Sequence, residues 1–420
     1  MIVKILPSIS TGTVHVPSSK SYTHRAIICA SFAVGVSRIE NVQYSEDIIA
    51  TIEAMKLCGV DIIQEETSLI ITGRKKFSLS AKQIDCNESG STLRFLIPLF
   101  SLMGQRVSFI GKNRLLKRPM SVYQSLFDKQ NILFQQTEEE IVIEGKISAD
   151  HFVIDGSVSS QFISGLLFAL PLLQKDSQIE VVEPFESKSY VDITIEILAD
   201  FGIIIEKKSE NLYYIKGNQE YISRNYVVEG DYSQFAFYAV LAAINHPLSI
   251  VGVSHRSLQG DQAILSALEQ FGAEITCIEN GYYISPRDKK GFQFDLANCP
   301  DIGPILSVLA ACANTDTTLL NTRRLEMKES NRMVAMKSEL HKIGITVMVG
   351  ENEAKIMAGE RKKSRVIFDG QRDHRIVMSL AILSTVLSEE VEIRGAEAIQ
   401  KSYPSFFEDL RSLGIIVEEV

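Results

Sequence analysis

Cys58-Gly59-Val60 ends an amphipathic run and leads straight into an apolar, β-rich stretch, and the same junction returns along the chain. It stands again as Phe201-Gly202-Ile203, Phe271-Gly272-Ala273, Ile343-Gly344-Ile345 and Leu413-Gly414-Ile415. A sixth copy, Gln130-Asn131-Ile132, carries Asn in place of Gly. From 59 through 131, 202, 272, 344 and 414 the steps are 72, 71, 70, 72 and 70 residues. Gly and Asn both tolerate the left-handed backbone that ends a helix. A period this long marks one supersecondary unit repeated six times.

Working outward from Gly59, the first copy reads as a strand at Thr13 to Val16, a polar turn at Pro17 to Ser21 and an apolar helix at Arg25 to Val34. A strand at Arg38 to Val42, a one-faced helix at Asp47 to Cys58 and a hairpin of Asp61 to Gln64 with Ser68 to Thr72 complete it. The order is β-α-β-α-β-β. The matching apolar helices are Arg94 to Met103, Gln161 to Leu173, Gln234 to Ile244, Gly303 to Ala313 and Arg375 to Leu387. A helix apolar on every side has to be buried on every side, whereas a one-faced helix such as Arg332 to Ile343 lies against a core. The expected fold is α/β, with helices inside and sheets outside. Six units of about 70 residues exceed one core and imply two domains of three units each.

Composition excludes several classes. Hydrophobic residues make up 45% and charged residues 23% of 420, ordinary for a globular protein. No apolar run reaches the ~20 residues that span a bilayer, and Met1 to Pro7 is too short for a signal core. The six Cys form no CxxC pair and read as reduced core residues of a cytoplasmic protein. A net charge of −9 argues against a nucleic-acid partner. No metal-ligand spacing and no Gly-rich nucleotide fingerprint is present, so neither metal nor cofactor is expected.

The basic residues that matter gather at one place in the repeat, the turn before each apolar helix. Those turns hold Lys20-Ser21, Ser89-Gly90-Ser91, Ser159-Ser160-Gln161, Gly230-Asp231-Tyr232-Ser233, Pro300-Asp301 and Asp373-His374-Arg375. Helix N-termini bind anions through free N–H groups and the helix dipole. Lys20, Arg25, Arg94 and Arg375 accompany the turns, and Arg118, Lys328, Arg332 and Lys401 come from elsewhere in the repeats. Arg suits bidentate contact with phosphate and carboxylate. Ordinary helix capping is the competing role, and it is the one expected of Ser91, Asp231 and Ser233. Lys328 and Arg332, four apart at a helix start, stand at the wrong end for cations unless an anion joins them.

Pro17-Ser18-Ser19-Lys20-Ser21-Tyr22-Thr23-His24-Arg25 resembles the PGSKSxTNR signature of the 5-enolpyruvylshikimate-3-phosphate (EPSP) synthases, the 3-phosphoshikimate 1-carboxyvinyltransferases. The likeness continues through Asp155 to Phe162, Val228 to Asp231, Lys328-Glu329-Ser330-Asn331-Arg332 and Asp373-His374-Arg375, in the family's order. It implies a two-domain inside-out α/β barrel of six βαβαββ repeats, with residues 1–19 and 229–420 in one domain and 20–228 in the other. It also implies transfer of the enolpyruvyl group of phosphoenolpyruvate to the 5-hydroxyl of shikimate 3-phosphate, releasing phosphate, on the shikimate pathway to chorismate and the aromatic amino acids.

By the same resemblance, Lys20, Ser21, Arg25, Ser159, Ser160, Gln161, Ser187, Tyr190, Asp301 and Lys328 would hold shikimate 3-phosphate. Lys20, Gly90, Arg118, Gln161, Arg332, Arg375 and Lys401 would hold phosphoenolpyruvate. Asp301 is the expected base and Glu329 the expected acid, with Lys20 and Lys401 assisting proton transfer. The partners are these two small molecules, with no membrane, and a monomer is expected. Three positions depart from the family. Glu88 stands at an Asn position, Phe95 where many members have Pro, and Arg324 where some have Asn. The nearest alternative is UDP-N-acetylglucosamine 1-carboxyvinyltransferase, which typically has Lys-Asn at Lys20-Ser21 and often a Cys in the loop at 111–119, absent here. A catalytically dead anion-binding scaffold would fit the repeats but not the joint presence of Lys20, Asp301, Glu329 and Lys401.

Overall fold

The computed structural model describes residues 1–75 and 77–420. The six expected cap positions all take left-handed backbone, with φ of +83° at Gly59, +55° at Asn131, +83° at Gly202, +98° at Gly272, +87° at Gly344 and +88° at Gly414. That shared conformation is why Asn can stand in for Gly at 131.

The chain divides into two compact units, Met1–Pro17 with Gly230–Val420, and Ser18–Glu229. Each has its own apolar core and three four-stranded sheets. The second repeat shows the pattern undisturbed. Gln83–Asp85 pairs parallel with Val107–Ile110 across the helix Gly90–Ser101, and Val107–Ile110 then pairs antiparallel with Ile141–Glu144, which pairs with Leu133–Gln136. The third repeat and the fifth follow the same order within contiguous chain.

Three repeats borrow a strand, and here the sequence reading needs correction. Thr13–His15 does not open the sheet of the first repeat. It pairs parallel with Leu248–Val251 of the fourth, while Asn225–Val227 pairs parallel with Gly35–Glu40 of the first. The chain leaves one unit after Thr13–His15 and returns after Asn225–Val227, so each strand lies in a different unit from the helix that follows it and completes the other repeat's sheet. Likewise Ile2–Ile5 closes the sixth sheet, lying antiparallel between Val391–Arg394 and Val417–Glu419. Strand propensity marks these segments as strands but does not say which sheet takes them.

The interior helices are buried as their composition requires. All thirteen residues of Tyr232–Ile244 and all of Gly303–Ala311 and His374–Ser384 are buried. In the flanking helix Arg332–Lys342 the buried set is Arg332, Met333, Ala335, Met336, Glu339 and Leu340, one face at helical spacing. Phe95 fills its place in Gly90–Ser101 as core: it is fully buried, edge-on to Phe168 at 5.4 Å and beneath the Arg25 guanidinium at 4.9 Å. Among the described residues, no helix is long and apolar enough to cross a membrane.

Candidate active site

In each unit the sequence-marked polar residues lie at the starts of the interior helices and at the entrances to the flanking helices. In the unit of Met1–Pro17 and Gly230–Val420 the centre is Arg332, whose side chain is only 2% exposed. Asn331 caps its helix by accepting from Val334 N, so Arg332 is the first helical residue and points across the helix end. Its Nη1 donates to Asp301 Oδ1 at 2.9 Å, Nη2 to Glu329 Oε2 at 2.9 Å and Nε to Asp373 Oδ2 at 2.9 Å. Asp373 also accepts from Ser330 Oγ and, as cap of the sixth interior helix, from Arg375 N.

Asp301 sits on the short turn Pro300–Ile302 and collects two further cations, Lys328 Nζ at 3.1 Å and Arg375 Nη2 at 3.3 Å. Burial pushes its carboxyl up, but Arg375, Lys328 and Arg332 together outweigh that and hold it well below the usual carboxylate range. Burial lowers the Lys328 ammonium to about 8, with Arg332 and Arg324 adding to the effect and Asp301 opposing it. Glu329 Oε1 accepts from Lys401 Nζ at 2.7 Å. Lys328 is not on the helix with Arg332, as its spacing had suggested. It follows the turn Arg323–Met327 in extended backbone, and the two cations converge on Asp301 instead of lining a solvated face.

The other unit carries the remaining marked residues. Lys20 opens the helix Lys20–Phe32, and its Nζ donates to Asp47 Oδ2 at 2.8 Å. Gly90 opens Gly90–Ser101 with no room to spare: a methyl there would lie 2.9 Å from Arg118 Nη1 and 3.4 Å from Gln161 Oε1. Gln161 accepts from Arg94 Nη1 at 2.7 Å and donates to Ser91 Oγ at 3.0 Å. Ser91 is therefore no cap; Ser89 caps the helix instead. Ser233 is no cap either, since it donates to Asp261, while Asp231 caps as expected. Ser159 caps the helix Ser160–Ala169, Ser160 is buried at its start, and Ser187 takes φ of +54° before Lys188–Asp200.

Arg25 faces inward. Its Nε donates to Thr194 Oγ1, Nη1 to the Ser21 carbonyl at 2.8 Å, and Nη2 to the Tyr190 carbonyl at 3.0 Å. It braces two of the marked residues from behind. Glu88 accepts from Asn113 Nδ2 at 3.3 Å, and Arg324 is buried beside Lys328.

Asp47, Asp373 and Asp261 were missed as partners by the sequence reading, although a signal for two of them exists. Residues at the interior helix starts and at the entrance to the flanking helix echo one another within each repeat. The pairs are 20 and 47, 90 and 118, 160 and 187, 233 and 261, 301 and 328, and 375 and 401, with separations of 27, 28, 27, 28, 27 and 26. Following that echo from Lys20 finds Asp47, and from Ser233 finds Asp261.

Comparison with known proteins identifies the family. The family model described as EPSP synthase (3-phosphoshikimate 1-carboxyvinyltransferase) matches residues 7–410. The 3-phosphoshikimate 1-carboxyvinyltransferase of Clostridium kluyveri is 43% identical over 99% of this chain and 98% of that protein. That of Clostridium perfringens (strain ATCC 13124) is 43% identical over 99% of each. EPSP synthase from Acinetobacter baumannii superposes with a TM-score of 0.82 at 24% identity over the whole of both chains. The enolpyruvyl transferase NikO from Streptomyces tendae gives 0.82 at 14% identity over 100% of this chain and 98% of that one. These two likenesses speak to the fold, the two-domain inside-out α/β architecture of six repeats. With a family model matching nearly its whole length and relatives above 40% identity along all of it, the chain belongs to the EPSP synthase family.

Proposed function

We propose how the residues of the two clusters divide the work of the family's reaction. The chain transfers the enolpyruvyl group of phosphoenolpyruvate to the 5-hydroxyl of shikimate 3-phosphate and releases phosphate. Two phosphate monoesters of about −1.5 to −2 charge each must be brought together, along with carboxylates. The observation that carries the assignment is the convergence of Lys328, Arg332, Arg375 and Lys401 on Asp301 and Glu329 in a chain of net charge −9.

Asp301 takes the 5-hydroxyl proton. Glu329, tied to Lys401, delivers a proton to the methylene carbon of phosphoenolpyruvate. The 5-oxygen bonds to the central carbon of phosphoenolpyruvate as that proton arrives. Because the product keeps its enol, the resulting methyl carbon then returns a proton to Glu329 as the bond from the central carbon to the phosphate oxygen breaks, and the proton held by Asp301 leaves with the phosphate or to solvent. Arg332, Arg375 and Lys401 offset the charge developing on phosphoenolpyruvate and the departing phosphate. In the other unit Lys20, Gly90, Arg118 and Gln161 hold phosphoenolpyruvate. Lys20, Ser21, Ser159, Ser160, Gln161, Ser187 and Tyr190, with Asp301 and Lys328, hold shikimate 3-phosphate. Arg25 serves this set by fixing the Ser21 and Tyr190 carbonyls, a role its buried bonding supports.

The two compact units serve as the enzyme's two domains, 1–19 with 229–420 and 20–228 in the bounds implied by the resemblance. The protein works as a cytoplasmic monomer, which sedimentation at assay concentration would check. The decisive experiment measures phosphate release from phosphoenolpyruvate with shikimate 3-phosphate or UDP-N-acetylglucosamine as acceptor. Release only with the first is expected. Release only with the UDP-sugar would overturn the acceptor, and release with neither would overturn the activity.

A further inference from the structure

A buried chain of hydrogen bonds runs from His24 to the start of the second interior helix. His24 Nδ1 lies 2.7 Å from Thr51 Oγ1, and Thr51 Oγ1 lies 2.7 Å from Thr92 Oγ1. Thr92 Oγ1 donates to Ser89 Oγ at 2.7 Å, and Thr92 N donates to the same oxygen at 3.1 Å. None of the four side chains is more than 1% exposed.

The protons along this chain can be placed. Thr92 gives its hydroxyl proton to Ser89, so it must accept from Thr51. Thr51 has then spent its own proton and must accept from His24. His24 therefore carries its proton on Nδ1, and Nε2 is a bare lone pair, for which no partner is found among the described residues. Burying a lone acceptor is less costly than burying an orphaned N–H, so this tautomer is also the cheaper one. Burial, with Lys20 and Arg25 acting in the same direction and Asp47 against, lowers the His24 imidazole to about 3. The ring stays neutral at any working pH, and the direction of the chain is fixed.

The location gives the chain its use. Lys20 and Asp47 sit four residues before His24 and Thr51 on the same two helices, so the two pairs are neighbouring rungs. The outer rung is the ion pair of Lys20 with Asp47. The inner rung continues through Thr92 to Ser89, the residue before Gly90. At Gly90 the margin is tight, because an added carbon would meet Arg118 Nη1 at 2.9 Å. The turn thus lies directly against the Arg118 guanidinium, with less than a methyl group's room between them.

We propose that His24 is a positioning residue which, through Thr51 and Thr92, sets the Ser89–Gly90 turn and so the placement of Gly90, Arg118 and Gln161 for phosphoenolpyruvate. This rests on the reading that those three residues take that substrate. Loss of the chain loosens phosphoenolpyruvate binding while leaving the proton chemistry at Asp301 and Glu329 in place.

Steady-state kinetics of His24→Leu, His24→Asn, Thr51→Val and Thr92→Val test it. Asn offers an amide N–H where Nδ1–H stands. The Val replacements are near-isosteric and keep the fold should the Leu variant misfold. Expected is a KM for phosphoenolpyruvate raised about tenfold in His24→Leu and in both Val variants, with kcat and the KM for shikimate 3-phosphate within about threefold. His24→Asn restores the parent KM, and the double Val variant is no worse than either single one, since one cut already breaks the chain. Ser31→Ala, which removes a buried hydroxyl bonded to the Ile27 carbonyl in the same helix, controls for lost stability. The inference is overturned if the phosphoenolpyruvate KM is unmoved in the Leu and Val variants, if Ser31→Ala raises it equally, or if Asn is no better than Leu. Arg118→Ala separates the two levels. A raised KM there with none in His24→Leu rejects the relay alone, whereas no change in Arg118→Ala rejects the cradle on which the relay depends.

Discussion

Arg332 Nη1 donates to Asp301 Oδ1 at 2.9 Å, and this bond ties the proposed base to the buried interior of its unit. The same guanidinium reaches Asp373, a fully buried carboxylate, and Glu329. Arg332→Met would strip Asp373 of its guanidinium, leaving it the Ser330 hydroxyl, its capping bond and the His374 ring at 3.9 Å. Removing one partner of a buried pair costs about 3–5 kcal/mol, so the urea midpoint should fall markedly. Arg332→Lys keeps a charge but loses the three-pronged geometry. It should unfold between the parent and the Met variant, with a raised KM for phosphoenolpyruvate. A Lys variant with parental stability and KM would reject both roles.

Asp301→Asn and Glu329→Gln keep shape and remove charge. Each should lower turnover by roughly 10²–10⁴, the usual worth of a positioned acid or base. Arg375, Lys328 and Arg332 overcome the effect of burial at Asp301, so its carboxyl is ionised throughout the neutral range, the form a base has to take. Near-parental turnover in both variants would remove them from the chemistry.

The repeat, its caps and its buried helices were legible in the chain because each depends on local chemistry: left-handed backbone at Gly59 and Asn131, and unbroken apolar periodicity at Tyr232–Ile244. Strand membership was not legible, since Thr13–His15 and Asn225–Val227 have no local feature naming their partners. The cations were found from the motifs. Their buried counter-charges were harder, because Asp47 reads as an ordinary first-turn acid and Asp261 as part of a polar loop. Only the echo of about 27 residues within the repeat, visible once Lys20 is seen against Asp47, sets them apart.

Lys328 predicts a pH signature of two opposite slopes. Its ammonium is lowered from 10.5 to about 8 by burial first. Between those values the unfolded chain holds more protons than the folded one, so this group makes stability rise with pH across that window. Over the same window the folded protein loses the charge proposed to meet the shikimate phosphate. The kcat/KM for shikimate 3-phosphate, which reports the free enzyme, should fall above about pH 8. Lys328→Arg should hold its charge and flatten that alkaline limb. An unchanged limb in the Arg variant would assign the titration to another group.

Asp261 gives the reverse case. It is 1% exposed, accepts from Ser233 Oγ, and stands near Asp301. Burial first and Asp301 second raise its carboxyl from 3.8 to about 6, with Arg375 and the Ser233 bond opposing them. A carboxyl whose folded value is raised binds its proton more tightly in the folded state. Its contribution to stability is therefore present at low pH and is lost as pH rises through the window from about 4 to 6. At pH 7 the full cost of the buried charge is borne. Asp261→Asn keeps an oxygen for Ser233 and removes the charge, so its Tm should exceed the parent's at pH 7, and the difference should shrink as pH falls toward 4. Thermal unfolding of both proteins at several pH values between 4 and 8 measures this. A variant less stable than the parent at pH 7 would mean that attraction to Arg375 outweighs burial and repulsion, reversing the sign argued for Asp261.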